Sequence, residues 1–228
     1  MSVLASTEVI ATHYCEFTCL RDAEISTGFL MGRLMHALHL TMVGATPAGQ
    51  PCPFGITFPD YRAYSSAVQA KRSRQQGSDE SSACDDDLNV APPIGNRVRL
   101  FARSEQELES IEWSKSMVGL DDYVHRTRPR STPSRVERCA TFARHQPKAS
   151  PERLIRRAMK RHRIDEAEAR RRYSEYSMDR CRLPWVDMRS ESSRHHFRLF
   201  IDRVEAPPTT EWGFSTYGLS RTVSLPIF

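Results

Sequence analysis

Histidine, serine and tyrosine residues occur at positions in this sequence where together they could act on RNA. His36 and His39 lie three residues apart in an apolar segment, Ser190 lies in MRSESS, and Tyr217 lies in FSTYGLS. An RNA strand is cut when its 2′-hydroxyl loses a proton and attacks the adjacent phosphate, and a histidine is a suitable base near neutral pH. A hydroxyl can hold the ribose or the developing charge. Each residue alone, and His195–His196 before FRLF, is also compatible with a structural role.

A basic segment from Pro151 to His162 is the strongest physical pattern in the chain. Its five cations fall at helical spacings and share one broad face, whereas the only acid, Glu152, lies in the first turn, where the helix dipole favours it. The cations are Arg153, Arg156, Arg157, Lys160 and Arg161. Like charges on one face repel each other unless a polyanion lies along them. The pattern favours a helix in the opened major groove of an RNA hairpin over a solvated basic surface.

The composition agrees with a partner of negative charge. The chain has 228 residues, 33 Lys plus Arg, 28 Asp plus Glu and a formal net charge of +5. This balance favours nucleic acid ahead of an acidic membrane surface. The sequence contains no run of about 18 apolar residues, the length that a membrane-spanning helix needs, and the N-terminus lacks the features of a signal peptide. We therefore expect a cytoplasmic protein with no membrane partner.

Metal and cofactor motifs are absent from the sequence. The six cysteines include no C-x-x-C pair, and no histidine stands at zinc-site spacing from them. The sequence also lacks G-x-G-x-x-G and P-loop motifs. We expect structural thiols, no metal site and no small-molecule cofactor.

The elements that must position these residues follow from the pattern of apolar positions. We predict a strand over 8–20, a helix over 29–43 after Ser26 or Thr27, strands over 54–60 and 97–102, a helix from Ser104, and a strand near 119–126. This is the split βαβ order of a ferredoxin-like (RRM-type) domain, which we expect over residues 1–126 of an α+β protein. A polar insertion over 61–93, expected to be mobile, interrupts it.

The remainder of the chain predicts a linker and a second domain. Residues 127–149 are rich in Pro, Arg and Ser, which is typical of a linker. Residues 150–228 predict a smaller C-terminal α+β domain that binds an RNA hairpin. Its arginine-rich helix begins with Ser150 as N-cap and Pro151 at the first helical position. A second helix, the strand-like runs HFRLFID and GFSTYGLS, and a terminal LPIF follow.

Several segments, in this order and spacing, resemble the CRISPR repeat-processing endoribonucleases of type I-F systems. The segments are HYCEF, FGITFPD, SPERLIRRAMKRH followed by EAEARRR, LPWVDMRSESSRHHFRLFI and GFSTYGLS. The resemblance implies an enzyme that binds the stem-loop of a CRISPR repeat and cuts at its base without metal, leaving a cyclic phosphate. It further implies that the protein stays on the crRNA hairpin, together with other subunits of the type I-F surveillance complex.

The resemblance also implies roles for individual residues. Ser190 corresponds to the family's hydroxyl-bearing serine, Tyr217 to its active-site tyrosine, and Phe197 to the aromatic residue that stacks near the hairpin. The cations that bind the groove correspond to Arg156, Arg157, Lys160 and Arg161, with Arg153 one turn earlier.

The catalytic histidine departs from the pattern of the best-known members, in which it directly follows Gly–basic–Leu. Here Gly32–Arg33–Leu34 is followed by Met35, and His36 comes one place later. One residue rotates a helical side chain by about 100°, so the base is either shifted in register or displaced. Other members place basic–apolar–apolar before the histidine. We therefore favour His36 as the base, with His39 as the alternative.

The linker also departs from the family pattern. The family reads the hairpin base with an Arg and, two residues on, a Gln, which can contact adjacent purines. The segment Arg138–Cys139–Ala140 keeps the Arg and lacks the Gln, and Arg135 with Glu137 is the other register. We expect Arg138 to bind RNA, with altered discrimination at one base pair near the hairpin base.

Two other functions remain open. With its histidine displaced, the protein could be a cap that binds the crRNA hairpin of an effector or transposon-associated complex and cuts it slowly or not at all. A generic RRM-type protein is less favoured, since its strands should carry exposed aromatic clusters. RVRLFA and FGITFPD carry isolated phenylalanines instead.

Overall fold

The computed structural model describes residues 11–62, 94–147, 151–174 and 181–228. The strands of this part of the chain are β1 His13–Cys19, β2 Gly55–Thr57, β3 Arg97–Ala102, β4 Val124–Arg126, β5 Arg130–Ser131, β6 Arg138–His145, β7 Trp185–Arg189, β8 His196–Glu205 and β9 Leu225–Ile227. The helices are α1 Thr27–Ala45, α2 Glu105–Glu109, α3 Trp113–Ser116, α4 Pro151–His162 and α5 Glu166–Arg172. The mixture confirms the predicted α+β class. Most of the predicted insertion and the predicted N-cap Ser150 lie outside the described residues.

The first sheet is antiparallel and has the order β2-β3-β1-β4, with β5 also paired to β1. Alternate residues of β1 are buried, and Cys15 and Phe17 lie opposite Leu100 and Val98 of β3. This alternation buries one face of the strand, as the sequence pattern predicts. The two long strands β1 and β3 therefore occupy the middle of the sheet.

Helix α1 is capped by Ser26, whose Oγ accepts a hydrogen bond from the backbone N–H of Phe29 at 3.3 Å. Its buried side chains recur every three or four residues, and they are Leu30, Met31, Leu34, Met35, Leu38 and Met42. Gly32 lies against β7, because a Cβ there would meet the carbonyl oxygen of Asp187 at 2.6 Å. The glycine lets helix and strand backbones approach closely. None of the helices in the described ranges is long and apolar enough to cross a membrane.

The second sheet is also antiparallel and has the order β7-β8-β6-β9. Strand β6 lies within the predicted linker 127–149, and its residues 139–143 are all buried. The linker prediction differs from the structure here because the apolar run CATFA is short and stands among Pro, Arg and Ser. This strand is central to the second sheet.

The predicted strand GFSTYGLS is wrong, because these residues form a turn. Phe214 and Cys52 exchange backbone hydrogen bonds of 3.0 and 2.8 Å in an isolated bridge. The N–H of Gly218 then donates to the carbonyl of Ser215 at 2.8 Å, and Gly218 has φ +69. A side chain at 218 would press on Ile56, so glycine suits both the backbone conformation and the packing. The turn fixes the position of Tyr217.

The described residues belong to two compact units. One comprises the chain up to His145 and again from Leu183, and both sheets contribute to its single hydrophobic core. The other spans Gln146–Arg182 and contains α4 and α5. This grouping differs from the predicted division at 127–149, because β7, β8 and β9 belong with the first unit.

The second unit has a small core of its own. Ile155 and Ala158 of α4 pack with Ala169 of α5, and Met159, Ile164 and Tyr173 cover this cluster. The carboxylate of Asp165 caps α5 by accepting a hydrogen bond from the N–H of Glu168 at 2.7 Å. The apolar stripe of α4 is thereby covered, and its basic residues are exposed.

Candidate active site

Helix α1 presents His39 to the turn that carries Tyr217. The two rings stack, with centroids 4.1 Å apart and planes inclined by 7°. Nδ1 of His39 lies 2.8 Å from the carbonyl oxygen of Thr216. Because a carbonyl only accepts, Nδ1 carries a proton, and in the neutral ring Nε2 holds the free lone pair. His39 is therefore oriented as a base whose accepting nitrogen is Nε2.

Arg144 of β6 joins this cluster, and the sequence patterns did not predict it. Its guanidinium lies 5.7 Å from the ring centre of Tyr217 and 5.6 Å from that of Phe197, within the range of cation–π contacts. Gln146 follows two residues later, so the chain does contain an Arg and a Gln at the spacing sought near Arg138. The spacing in the sequence was the signal that could have found it. His39, Tyr217, Arg144 and Phe197 thus form one continuous group.

His36 lies one turn before His39 and has different partners. Its Nε2 is 3.0 Å from Oε1 of Glu191. Its Nδ1 is buried and has no hydrogen-bond partner within the described part of the chain. The imidazole is 24% exposed, so Nε2 is the nitrogen that can reach a ligand. Glu191 is 64% exposed and lies at the surface beside it.

Ser190 opens the turn between β7 and β8. Its N–H donates to the carbonyl of His195 at 2.9 Å, and its Oγ accepts from the N–H of Ser193 at 3.3 Å. Ser192 Oγ lies 3.2 Å from Ser190 Oγ. Because Glu191 is the next residue, its contact with His36 holds this turn beside α1. The predicted residues Ser190 and His36 therefore lie in one region, although Ser190 itself bonds within its own turn.

An open groove with a volume of about 1160 Å³ runs past His36. Its walls come from α1, from β7 with the turn after it, and from the segment 115–120. Cations and aromatic rings are among the lining residues, which include Arg21, Phe29, Arg33, Trp185 and Arg189. His36 is thus accessible from solvent along this groove.

Arg138 lies elsewhere, at the start of β6. Its guanidinium donates to the Glu205 carboxylate at the end of β8, and this pairing lowers the pKa of Glu205 below its usual range. Arg203 also lies 3.8 Å from the same carboxylate. Arg138 is thus held in an ion pair on the surface, at the opposite end of β6 from Arg144.

The five predicted cations of α4 are exposed. They are Arg153, Arg156, Arg157, Lys160 and Arg161, and they share a helix whose other side packs on α5. The helix therefore presents concentrated positive charge to solvent, as its spacing predicts.

Possible metal ligands are dispersed. No group of three or more His, Cys, Asp or Glu side chains comes together among residues 11–62, 94–147, 151–174 and 181–228. The described cysteines are free thiols, and burial raises the pKa of Cys19 to about 11. A thiol with a raised pKa is a poor nucleophile near neutral pH.

Comparison with known proteins gives a consistent match over nearly the whole chain. The model of a family described as CRISPR-associated protein (Cas_Csy4) matches residues 14–228. A protein of Escherichia coli (strain UTI89 / UPEC), named CRISPR-associated endonuclease Cas6/Csy4, is 32% identical over 219 residues, which are 95% of this chain and 99% of that protein. A protein of the same name from Pseudomonas aeruginosa (strain UCBPP-PA14) is 31% identical over 217 residues, again 95% and 99% of the two chains.

Proposed function

Because the chain belongs to the Cas_Csy4 family of CRISPR-associated proteins, we propose that it is an endoribonuclease that processes CRISPR transcripts. Its substrate is the hairpin of the CRISPR repeat, which it cuts at the base of the stem. It then stays on the hairpin of the mature crRNA as one subunit of a type I-F surveillance complex. The relatives named as endonucleases and the group around His39 support this function.

The observation that carries the proposal is the stacking of His39 on Tyr217. The hydrogen bond from Nδ1 to the Thr216 carbonyl leaves Nε2 of the neutral ring ready to accept the proton of a ribose 2′-hydroxyl. Tyr217 and Phe197, which the family resemblance marks as site residues, both contact Arg144 beside it. We therefore assign the base to His39 in preference to His36, whose exposed nitrogen faces Glu191.

The remaining groups have complementary tasks in this proposal. Ser190 holds the ribose on the 5′ side of the cut, and Phe197 stacks on the last base pair of the stem. Arg144, with Gln146 two residues on, reads the bases there, since an arginine fork can bind a guanine edge with two hydrogen bonds. Arg138 remains a candidate for the same task, but its guanidinium is paired with Glu205.

Helix α4 supplies most of the affinity for the hairpin. Its exposed cations, Arg153, Arg156, Arg157, Lys160 and Arg161, suit the phosphates that line an RNA groove. Phosphate contacts fix orientation and add affinity without reading the sequence. The tasks of binding and cutting are thus divided between the two compact units.

The reaction proceeds without a metal in this proposal. His39 removes the 2′ proton, the 2′-oxygen attacks the phosphorus, and a 2′,3′-cyclic phosphate remains on the hairpin. Histidine bases suit such transfers near neutral pH because their ordinary pKa lies there. Since the nucleophile is an oxygen of the RNA itself, a histidine base can activate it without a metal-bound hydroxide.

We also propose that the first sheet, with α1 and the helices α2 and α3, is a ferredoxin-like domain. The sheet order β4-β1-β3-β2 and the connection of β1 to β2 through α1 and of β3 to β4 through α2 and α3 support this arrangement. Helix α1 then carries the histidines on a rigid element.

The alternative is a hairpin cap that binds without cutting. The test is single-turnover cleavage of the cognate repeat hairpin in excess EDTA, with affinity measured for each protein. We expect wild type to cut, and His39→Ala to lose at least about 10²-fold in rate, a typical contribution of a general base, while its affinity changes less than about threefold. His125→Ala, an exposed histidine on β4, is the matched control and should cut like wild type.

Three results would overturn parts of this proposal. If wild type binds tightly but does not cut, with or without added magnesium, the protein is a hairpin cap and not a nuclease. Cleavage that EDTA abolishes would remove the metal-independent route. If His39→Ala is fully active, His39 is not the general base, and His36 becomes the candidate for that role.

A further inference from the structure

We propose that His36 is a second catalytic residue, the general acid that protonates the leaving 5′-oxygen, and that Glu191 positions it. This inference rests on the proposed function, since it assigns the other half of the same reaction. Base catalysis alone leaves a 5′-alkoxide, which is a poor leaving group until it gains a proton. Among the residues of the site, His36 is placed and paired to supply that proton.

The first argument is the pairing of His36. An imidazole must carry a proton on the nitrogen that faces the leaving oxygen before it can act as an acid, and a carboxylate oxygen within hydrogen-bond distance can only accept from such a nitrogen. Glu191 Oε1 lies 3.0 Å from Nε2, which is the nitrogen that faces the groove. Nδ1 is buried, so the ring can present only Nε2 to RNA. The two histidines thus differ in partners: His39 donates to a neutral carbonyl, and His36 faces an anion.

The second argument is spacing. Residues three apart on a helix have Cβ atoms about 5–6 Å apart and project from the same side. In-line attack places the entering 2′-oxygen and the leaving 5′-oxygen on opposite sides of one phosphorus, so acid and base must stand a few ångströms apart. His36 and His39 meet this requirement on one rigid helix, α1. Helix packing through Gly32 on Asp187 fixes that helix beside the Ser190 turn.

The third argument is the position of Glu191 next to Ser190. The proposed function puts the ribose of the cleaved bond at Ser190. The contact with Glu191 therefore brings His36 to the same phosphodiester, and the groove beyond His36 can take the segment that leaves. Glu191 acts on the reaction only through His36, whose Nε2 it contacts, and is a positioning residue.

The step balances in atoms and charge. The bond from the 2′-oxygen to phosphorus forms while the bond from phosphorus to the 5′-oxygen breaks. The 2′ proton moves to Nε2 of His39, and the proton on Nε2 of the His36 imidazolium moves to the 5′-oxygen, which departs as a hydroxyl. The products are a cyclic phosphate, a protonated His39 and a neutral His36, and water exchanges the two protons afterwards.

The experiment replaces the leaving 5′-oxygen at the scissile bond with sulfur. A thiolate leaves without a proton because thiols are acidic, so this substrate needs no general acid. On the oxygen substrate we expect His36→Ala to be at least about 10²-fold slower than wild type. On the sulfur substrate it should cut within about tenfold of wild type, whereas His39→Ala should stay slow on both. Glu191→Gln should lower the cleavage rate of the oxygen substrate by less than His36→Ala does, and the sulfur substrate should restore that rate too. Glu211→Gln is the control and should cut both substrates like wild type.

Two outcomes would overturn the inference. If His36→Ala cuts the oxygen substrate as fast as wild type, position 36 does not supply the general acid. A variant equally slow on both substrates would make His36 the base or a structural residue. Melting temperature and hairpin affinity of each variant identify a folding defect, and Glu191→Gln, which keeps the shape of the side chain, then still tests the acid. Failure of wild type to cut would instead refute the proposed function.

Discussion

The imidazole of His39 and the phenol ring of Tyr217 lie nearly parallel, with their centroids 4.1 Å apart. Nδ1 of His39 also donates to the carbonyl of Thr216, which is 177 residues away in the chain. The stack and the bond to Thr216 together fix the ring plane and the proton position of His39. A helix and a distant turn therefore define one side of the candidate site.

The stack predicts different results for two changes at Tyr217. Tyr217→Phe keeps the ring that contacts His39 and should keep cleavage within about threefold of wild type. Tyr217→Ala removes the ring and should slow cleavage at least about tenfold, since a loosely held base loses alignment with its proton. Single-turnover rates with matched hairpin affinities measure both. Equal losses in the two variants would assign the effect to the hydroxyl instead.

Base reading should depend on Arg144 more than on Arg138. Arg144→Ala should reduce discrimination at the base of the stem by about 1–3 kcal/mol, the range for a bidentate contact to a guanine. Arg138→Ala should leave discrimination unchanged, because that guanidinium is paired with Glu205. Affinities for hairpins with each base pair at the stem base measure this. The reverse pattern would restore Arg138 as the reader.

The cations of α4 predict the salt dependence of hairpin binding. Replacing Arg156 or Lys160 with Ala should lower the slope of log affinity against log salt by about one for each phosphate that the variant no longer neutralises. Arg170 of α5 is the control, because it is exposed and already paired with Glu166 at 2.7 Å. Titrations at several salt concentrations give the slopes. A slope unchanged by both α4 variants would contradict phosphate binding by this helix.

Gly32 predicts a stability effect opposite to helix propensity. Alanine is a better helix former than glycine by about 1 kcal/mol, but at 32 its Cβ would lie 2.6 Å from the Asp187 carbonyl oxygen. We expect Gly32→Ala to destabilise the protein by about 1–3 kcal/mol through overpacking. Gly28→Ala on the same helix has no atom within 4 Å of the new Cβ and should be neutral or stabilising. Thermal or denaturant unfolding compares the two.

The pair of Asp60 and Arg97 predicts a loss of stability in acid. The hydrogen bonds from Arg97, 3.0 and 2.6 Å long, hold the pKa of Asp60 below its usual value. The pKa of an aspartate in an unfolded chain is about 3.9. The pair's contribution to the free energy of unfolding is therefore present above that pH, and it is lost as the pH falls through the lower pKa that Asp60 has in the folded protein. Both side chains are partly exposed, which limits the contribution to about 1 kcal/mol.

Unfolding free energies measured between neutral pH and about pH 2 test this expectation. Asp60→Asn should be less stable than wild type at neutral pH. The difference should shrink toward the acid end of the range, as Asp60 takes up a proton. A constant difference across the range would show that the carboxylate charge is not the cause.

The sequence predicted the elements that carry regular patterns. The alternation in HYCEFTC indicates β1, and the apolar spacing after Ser26 indicates α1. RVRLFA indicates β3, with the same bounds that the structure shows. The basic face of α4 followed in the same way from spacing alone. These patterns are local, so they can be recognised without knowing the tertiary structure.

Features set by distant contacts could not be predicted this way. The short apolar run of β6 predicts a linker from sequence alone. GFSTYGLS predicts a strand, because its turn depends on packing against the distant residues Cys52 and Ile56. The choice between His36 and His39 depends on which distant side chain meets each ring. Periodicity locates both on one side of α1 but says nothing about Glu191 or Tyr217. The prediction of His36 as the base therefore stays open to experiment.

The separate small core of α4 and α5 has an evolutionary consequence. If α4 binds the repeat stem as proposed, substitutions on its exposed surface will change the affinity for a new stem without disturbing the packing of the first unit, where His39, Tyr217 and Ser190 lie. On the proposed function, a repeat and the protein that processes it can therefore diverge together in steps, because the affinity for the RNA changes while the catalytic residues stay the same.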